Sequence, residues 1–392
     1  MLAATFMVFL VGTLVYSVLV MMAARLYLGV RPRALPTDNQ EPISILKPLT
    51  GLDLELEYNL RSFFEQDYTN FEILFAVRDL DDPAVPVVEA LRKEYPHVSS
   101  SLIVTGTSRF PNAKVYSLDL MLAEAEHDLV VMSDSDIRVT PSLLRTVAAE
   151  FSDRSIGVAT CPYRAVAGTP MGGSLWSRLE ATGMNVDFIS GILAARMLEG
   201  MQFAVGPTIV ARKSALESFG GFDRLKDYLA EDFVMGKFAS EAGYGVILSS
   251  YVVEHHIGSS GFLENARHRL RWARSTRRSR PWGYFGQALT MPIPWALAVC
   301  AANPAWWPAV PATLAIRWAA AHFVSARVLR ARINWALMPL EDLASFAFWL
   351  AGCFGSTIVW RGRRYRLFSD GRFELLPETV SATAPAALIT ED

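Results

Sequence analysis

From Leu2 to Ala24 the chain carries no charged residue. A helix over these 23 residues reaches roughly 34 Å at about 1.5 Å per residue, enough to cross a hydrocarbon core of about 30 Å. The run is therefore expected to anchor the chain in a membrane, over residues 1–25. A cleaved signal peptide has a basic start and a shorter apolar run. Here the basic residues Arg25, Arg31 and Arg33 come after the run, so the positive-inside rule turns the N-terminus outward and the chain beyond the anchor toward the cytosol. Composition agrees. Of 392 residues 19% are charged and 52% hydrophobic, where soluble domains carry about 25% charged residues. The mean hydropathy is +0.24. Intrinsic disorder is excluded, and the formal charge of -2 gives no reason to expect nucleic acid as a partner.

A second apolar region begins near Gly286. Between Glu264 and Glu341 there is no acidic residue, and the stretch holds Trp295, Trp306, Trp307, Trp318 and Trp335 with several prolines, as interfacial and kinked membrane helices do. Candidate spans fall at 287–303, 306–326 and 340–359. Arg327, Arg330 and Arg332 precede the last of these and Arg361, Arg363 and Arg364 come after it, so both flanks claim the cytosol. One segment is expected to be re-entrant or interfacial, and Glu341 and Asp342 favour the last. Residues 283–366 are accordingly expected to form a C-terminal membrane region, and 367–392 a tail.

Between these regions, residues 41–282 are expected to form the cytosolic domain. Residues 41–260 alternate short apolar strands with amphipathic helices, the pattern of an α/β domain with a largely parallel sheet. Strands are expected at Ile43–Leu49, Glu72–Val77, Leu102–Val104 and Asp128–Met132. Helices are expected at Leu54–Gln66, about 84–94 and from Lys114. Cys161, Cys300 and Cys353 are too dispersed for a disulfide framework or a zinc site, which suits a reducing cytosol. No Gly-rich phosphate loop is present, so neither a P-loop nor a dinucleotide fingerprint applies.

Acidic residues stand where such a sheet binds ligands, beyond the carboxyl ends of its strands. Asp134 and Asp136 end the fourth strand; two carboxylates there either cap a turn or offer hard oxygen ligands to Mg2+ or Mn2+. Asp81 and Asp82 come after the second strand. They either cap the next helix, with Pro83 at its start, or accept hydrogen bonds from a base or ribose. Glu231-Asp232 either favours a helix N-terminus or supplies a general base. Lys114, after a Pro-Asn turn, is placed for a phosphate contact.

Arg267, Arg269, Arg271, Arg274, Arg277, Arg278 and Arg280 crowd fourteen residues. Such a helix either attracts anionic headgroups or, through Arg271-Trp272, grips a departing diphosphate and walls a pocket. His255 and His256 lie in a strand-like run, and adjacent strand side chains face opposite ways. A joint metal site is therefore not expected of them.

Together and in this order, several motifs resemble glycosyltransferase family 21, the ceramide glucosyltransferases of the broader family 2-like group. They are Leu46-Lys47-Pro48-Leu49 with Gly51 and Asp53, Asn59-Leu60, Asp81-Asp82-Pro83-Ala84, Asp134-Ser135-Asp136, Tyr228-Leu229-Ala230-Glu231-Asp232, Arg271-Trp272 and the tail Trp360-Arg361-Gly362-Arg363 with Tyr365-Arg366-Leu367. Bacterial hopanoid glycosyltransferases look similar over the same segments. The resemblance implies a GT-A nucleotide-sugar-binding domain, α/β with a mixed, largely parallel sheet, carried by N-terminal and C-terminal membrane helices. It implies a UDP-sugar donor, a divalent metal (Mg2+ or Mn2+) and inverting transfer to a lipid hydroxyl.

Residue by residue, it puts Asp82 near the nucleotide, Asp134 and Asp136 on metal and diphosphate, and Asp232 in the role of base. Arg271 and Trp272 would end a (Gln/Arg)-x-x-Arg-Trp motif whose first position is here His268. Three readings stay open: UDP-glucose to ceramide, UDP-N-acetylglucosamine to bacteriohopanetetrol, and an inactive lipid-binding scaffold. The retained acidic residues and Arg271 speak against the last. The expected setting is a multi-pass membrane protein with a cytosolic catalytic domain, the inner membrane if bacterial.

Overall fold

A computed structural model describes residues 2–30, 41–168, 173–258, 261–360 and 363–377. The positive-inside residues Arg31 and Arg33, the motif residues Arg361 and Gly362 and the tail from 378 onward lie outside the described residues. The first helix, α1, runs Leu2–Leu28. After it come strands β1 Ile43–Pro48, β2 Phe71–Val77, β3 Ser99–Val104, β4 Leu129–Ser133, β5 Ile137–Arg138, β6 Ile156–Thr160 and β7 Tyr163–Ala167. Next are β8 Thr208–Arg212, β9 Gly245–Leu248 and β10 Val253–Ile257. Between them lie helices α2 Leu56–Phe64, α3 Val85–Glu94, α4 Ala113–Glu124, α5 Leu143–Glu150, α6 Leu175–Gly183, α7 Ile189–Glu199, α8 Lys213–Ser218 and α9 Glu231–Glu241.

The main sheet has the order β3-β2-β1-β4-β8-β6-β9. Strands β3, β2, β1 and β4 are mutually parallel, and β8 enters antiparallel between β4 and β6. The fold is thus α/β with a mixed, largely parallel sheet. Near-continuous apolar runs such as Ile43–Leu46 and Leu129–Met132 suit it, because both faces are covered. One core joins Ile45, Phe63, Phe75 and Val131 with the helices of one face; the other joins Leu46, Leu74, Met132 and Val115 with α4 and α9. Strand β3 starts three residues before the expected Leu102 because it pairs with β2 alone. An edge strand can present Ser99 and Ser101 to water. The order 3-2-1-4 reverses direction between β1 and β4, and the crevice outside that reversal is where open α/β sheets bind ligands.

Beyond this domain lie α10 Phe262–Ser279, α11 Pro281–Gly286, α12 Pro292–Ala302, α13 Ala309–Ala321 and α14 Met338–Gly352. Strands β11 Thr357–Trp360, β12 Arg363–Leu367 and β13 Phe373–Leu375 form a small antiparallel sheet. Among the described residues α1 is the helix long and apolar enough to cross a membrane unaided. It also packs on the rest of the chain: Val20, Ala23 and Ala24 join α7, and the Tyr27 hydroxyl donates to Ser249 O at 2.6 Å.

The C-terminal segments differ from the expected spans. The candidate at 287–303 falls on Pro281–Leu289 and Pro292–Ala302, which meet at a 57° bend. Prolines interrupt the chain at this bend. The candidate at 340–359 is instead a 15-residue helix, about 22 Å long by its rise and too short to span, succeeded by a turn and β11. Hydropathy alone missed this because Glu341 and Asp342 are buried against arginines rather than placed at an interface. The tail expected from 367 begins inside β12, so its first residues belong to the small sheet.

Candidate active site

Asp134 comes directly after β4, and Lys114 opens α4 opposite it. Asn112 caps that helix, its Oδ1 accepting from the Lys114 and Val115 amides at 3.1 and 3.3 Å. The same side chain donates to Tyr228 O at 3.0 Å and to Glu231 Oε2 at 3.3 Å, so one asparagine sets both helix starts that flank the site. Lys114 Nζ then bridges Asp134 Oδ1 at 2.7 Å and Glu231 Oε1 at 3.2 Å. Burial disfavours its charge, but Asp134 and Glu231 outweigh burial and hold the ammonium well above its usual range. A small cavity is lined by Lys114, Asp134, Glu231, Asp232, Gly206 and Pro207, among others.

Asp232 lies in the first turn of α9. Its Oδ2 accepts from the Gly206 amide at 2.7 Å and its Oδ1 from the Phe233 amide at 2.8 Å. Burial, with Glu231 beside it, pushes its carboxyl up to about 6. Gly206 has φ +82°, and a Cβ there would stand 3.0 Å from the Tyr163 ring, so both backbone and space demand glycine. Gly236 lets α9 approach Phe203 and Ala204, where a Cβ would come within 2.1 Å of the Ala204 nitrogen.

Asp136 is bound to His255, Oδ2 to Nε2 at 3.0 Å, while its Oδ1 is buried without a partner. Burial favours the neutral acid, yet His255 overcomes this and keeps the Asp136 carboxyl below its usual range. His256 turns the other way, to Glu254 at 3.0 Å and Glu55 at 3.5 Å. The two histidines thus serve separate partners, as the alternation of a strand requires. Among the described residues no group of three or more His, Cys, Asp or Glu is arranged to hold a metal. The donor set nevertheless suits a hard cation that keeps water or phosphate ligands, with Asp134 facing the cavity and an orphaned oxygen on Asp136.

Asp82 takes up the capping option and adds a bond to the preceding loop. Its Oδ1 accepts from the Ala84 amide at 2.9 Å at the start of α3 and from the Gly51 amide at 3.0 Å. Gly51 has φ +70°. Asp81 is exposed beside it, and neither acid lines the cavity around Lys114. The Leu46–Asp53 motif, given no role by its spacing, turns out to brace the crevice. Buried Lys47 donates to Asp134 O at 2.5 Å and lies over the Phe63 ring, and the Ser135 hydroxyl donates to Asp53. Burial lowers the Lys47 ammonium to about 7 despite Asp134, Asp136 and Asp53 nearby. A lysine at a strand end inside an apolar run was the available signal.

Arg271 and Trp272 sit on α10, apart from the Lys114 cavity. Trp272 packs on the core that contains Tyr163, Ala181 and Met184, and its ring lies 4.4 Å from that of His268. Several neighbouring arginines are engaged by the protein. Arg274 donates to Phe354 O and Thr357 O at 3.1 and 2.6 Å, Arg277 donates to Cys353 O and Gly355 O, and Arg269 and Arg280 pair with Glu341 and Glu199. The arginine-rich stretch therefore caps α14 and fixes the small sheet, more than the headgroup reading allowed. That sheet abuts the start of α9: Leu229 packs on Ile358, Tyr365 and Phe373, and the Phe373 amide donates to Asp227 O at 2.9 Å.

Comparison with known proteins agrees with this architecture. Residues 4–373 match the glycosyl transferase family 21 profile. The chain is similar to ceramide glucosyltransferase 1 of Caenorhabditis elegans, 28% identical over 218 residues, covering 53% of this chain and 44% of that protein. It is similar to ceramide glucosyltransferase 3 of the same organism, 28% identical over 244 residues, covering 59% of this chain and 50% of the other. The ceramide glucosyltransferase of Komagataella phaffii is 38% identical over 124 residues, 30% of this chain and 24% of its own. The chain thus spans about half, or less, of the length of the curated relatives it matches. Among solved structures, the mannosyltransferase PcManGT from Pyrobaculum calidifontis, in complex with GDP-Man and Mn2+, superimposes with a TM-score of 0.53. It is 18% identical and covers 90% of this chain and 98% of its own. The chain belongs to glycosyl transferase family 21 and has a GT-A-like fold.

Proposed function

We propose that this protein transfers a sugar from a UDP-sugar, UDP-glucose in the first instance, to the hydroxyl of a membrane lipid of the ceramide type, with inversion. The observation that carries the reading is the convergence of Asp232, Glu231, Lys114 and Asp134 on one cavity at the strand-order reversal. Asp232 is the base. Each of its oxygens takes one backbone N–H, which aims the carboxylate while leaving lone pairs for the attacking hydroxyl. As that hydroxyl closes on the anomeric carbon, its proton passes to Asp232 and the bond to the diphosphate breaks on the opposite face. A single displacement turns an α-linked donor into a β-glycoside.

Lys114, released from Asp134 and Glu231, meets the negative charge of the leaving diphosphate, and Arg271 is the second cation assigned to it. Asp81 and Asp82 belong to the nucleotide side, and Trp272 to the sugar or acceptor wall. Asp134 and Asp136 would hold Mg2+ or Mn2+, which when bound neutralises part of the diphosphate charge. Residues 1–25 and the C-terminal helices would seat the cytosolic domain of residues 41–282 at the bilayer surface, where a lipid keeps its tails in the membrane while its headgroup reaches the cleft.

The test incubates detergent-solubilised protein and Mg2+ with UDP-glucose or UDP-N-acetylglucosamine against ceramide and bacteriohopanetetrol in parallel, with mass spectrometry of the lipids. Hexosylceramide is expected. An N-acetylhexosamine on the hopanoid would keep the residues and move the substrates, and no glycolipid from any pairing would overturn the reading. Excess chelator is expected to weaken UDP binding; an unchanged affinity would remove the metal from the proposal.

A further inference from the structure

A second polar cluster lies where α6 crosses α10, outside the cavity around Lys114. Glu180, on α6, is 4% exposed. One of its oxygens takes a hydrogen bond from Asn265 Nδ2, and the other lies 2.6 Å from His268 Nδ1. Asn265 and His268 are three residues apart on α10 and so share a face. A carboxylate so placed fixes both ring orientation and proton position in the imidazole, as it does for histidines that serve ligands. Burial alone would favour neutral Glu180, but His268 outweighs it and keeps the carboxyl below its usual range.

With Nδ1 committed, Nε2 on the far edge of the ring is the nitrogen left for a ligand. Asn265, 1% exposed, keeps its Oδ1 without a partner. The face therefore offers an imidazole nitrogen and an amide oxygen for hydrogen bonding, a pattern that suits a hydroxyl, which can both donate and accept. The cluster lies near the base: the Tyr163 hydroxyl, pushed up chiefly by burial, also feels both Asp232 and Glu180, and the Tyr163 ring lies against Gly206, whose amide holds Asp232, while His268 packs on Trp272.

We propose that His268, held by Glu180, hydrogen-bonds a second hydroxyl of the lipid acceptor, so that this site selects diol or polyol headgroups over single alcohols. The assignment rests on the lipid transfer proposed above. It makes His268 and Glu180 specificity-determining residues, with Glu180 acting through His268.

The experiment uses the full chain in detergent with UDP-glucose and two acceptors, short-chain ceramide with two hydroxyls and its 3-deoxy analogue with one. If the wild type accepts bacteriohopanetetrol instead, that lipid is set against a hopanoid bearing one hydroxyl. The wild type is expected to prefer the acceptor with more hydroxyls by about tenfold in kcat/KM, the scale of one hydrogen bond to a polarised partner. His268→Phe keeps the packing on Trp272 and is expected to collapse that ratio to near one, through acceptor KM. His268→Gln keeps a hydrogen-bonding group and restores part of the ratio. Glu180→Gln loosens the ring and gives an intermediate ratio. UDP affinity reports that each variant is folded at the donor side. An unchanged ratio in His268→Phe, or no wild-type preference, overturns the proposal. A wild type that hydrolyses UDP-glucose but glycosylates no lipid overturns the lipid reading first, and this one with it.

Discussion

Around Lys114 the acids Asp134, Asp136, Glu231 and Asp232 gather at a crevice, whereas around Arg317 acids and arginines close on one another. Arg317 bridges Asp187 at 2.6 Å and Asp342 at 2.7 Å, and Arg269 lays its fork on Glu341. In the first region most of the charged groups line a cavity, whereas each region keeps one buried carboxylate oxygen without a partner, on Asp136 and on Asp187. In the second, the charges tie α13 and α14 to the π-helical turn Met184–Phe188 between α6 and α7. Buried charge alone therefore does not mark a site: charge that faces a cavity is poised for a ligand, and charge closed by an arginine fork positions helices.

The comparison breaks most sharply at Asp232. Asp232→Asn keeps the size of the side chain and removes the proton acceptor, so transfer is expected to fall by at least about 10^3-fold, within the span of general-base contributions. UDP-sugar affinity should stay near the wild-type value by calorimetry. Full transfer activity in this variant would take the base role away from Asp232. Arg317→Met should do the reverse. It leaves Asp187 and Asp342 buried together without their cation, a loss of about 3 kcal/mol or more, read as a lower melting temperature in detergent. Turnover per folded molecule should be preserved, and an unshifted melting temperature would mean that the ion pairs hold nothing in place.

A smaller effect sharpens the first region. The base role proposed for Asp232 needs it deprotonated, and burial with Glu231 raises its carboxyl to about 6. The rate should hence be flat above about pH 7 and fall tenfold per unit well below 6. Glu231→Gln removes one cause of the upward shift, so the break should move to lower pH. A break that stays in place in kcat/KM profiles would belong to another group.

Much of the first region was legible because its chemistry is local. Asp134, Asp136 and Asp232 lie just past strand ends or open a helix, and both positions can be read from hydrophobic periodicity. The bracing could not be read in this way: Asn112 reaches Glu231 across 119 residues and His255 reaches Asp136 across the same interval, pairings that only the folded topology makes. The second region misled because hydropathy averages over a segment. A helix with two acids that meet arginines from α10 and α13 looks like a span but serves as a strut. The apolar N-terminal helix, by contrast, needs no partner to be read as a helix, and α1 runs four residues beyond the predicted uncharged stretch.

Asp82 stands between the two kinds of region and gives the smallest and most discriminating test. Its carboxylate takes the Ala84 amide like a helix cap and the Gly51 amide like a loop clamp. Asp82→Ala removes both bonds, and loss of a cap alone is worth about 1 kcal/mol. If Asp82 only caps, melting falls by that amount and UDP binding is untouched. We expect more, because Gly51 lies in the turn that joins β1 to Asp53, and Asp53 holds Ser135 between the two acids of the fourth strand end. Slackening that turn should weaken UDP binding several-fold. Asp82→Asn retains a side-chain oxygen able to accept from Ala84 or Gly51, so it should recover most of the stability. Whether UDP affinity returns with it decides between shape and charge: recovery assigns Asp82 to the clamp, and persistent weakness assigns its negative charge to the nucleotide.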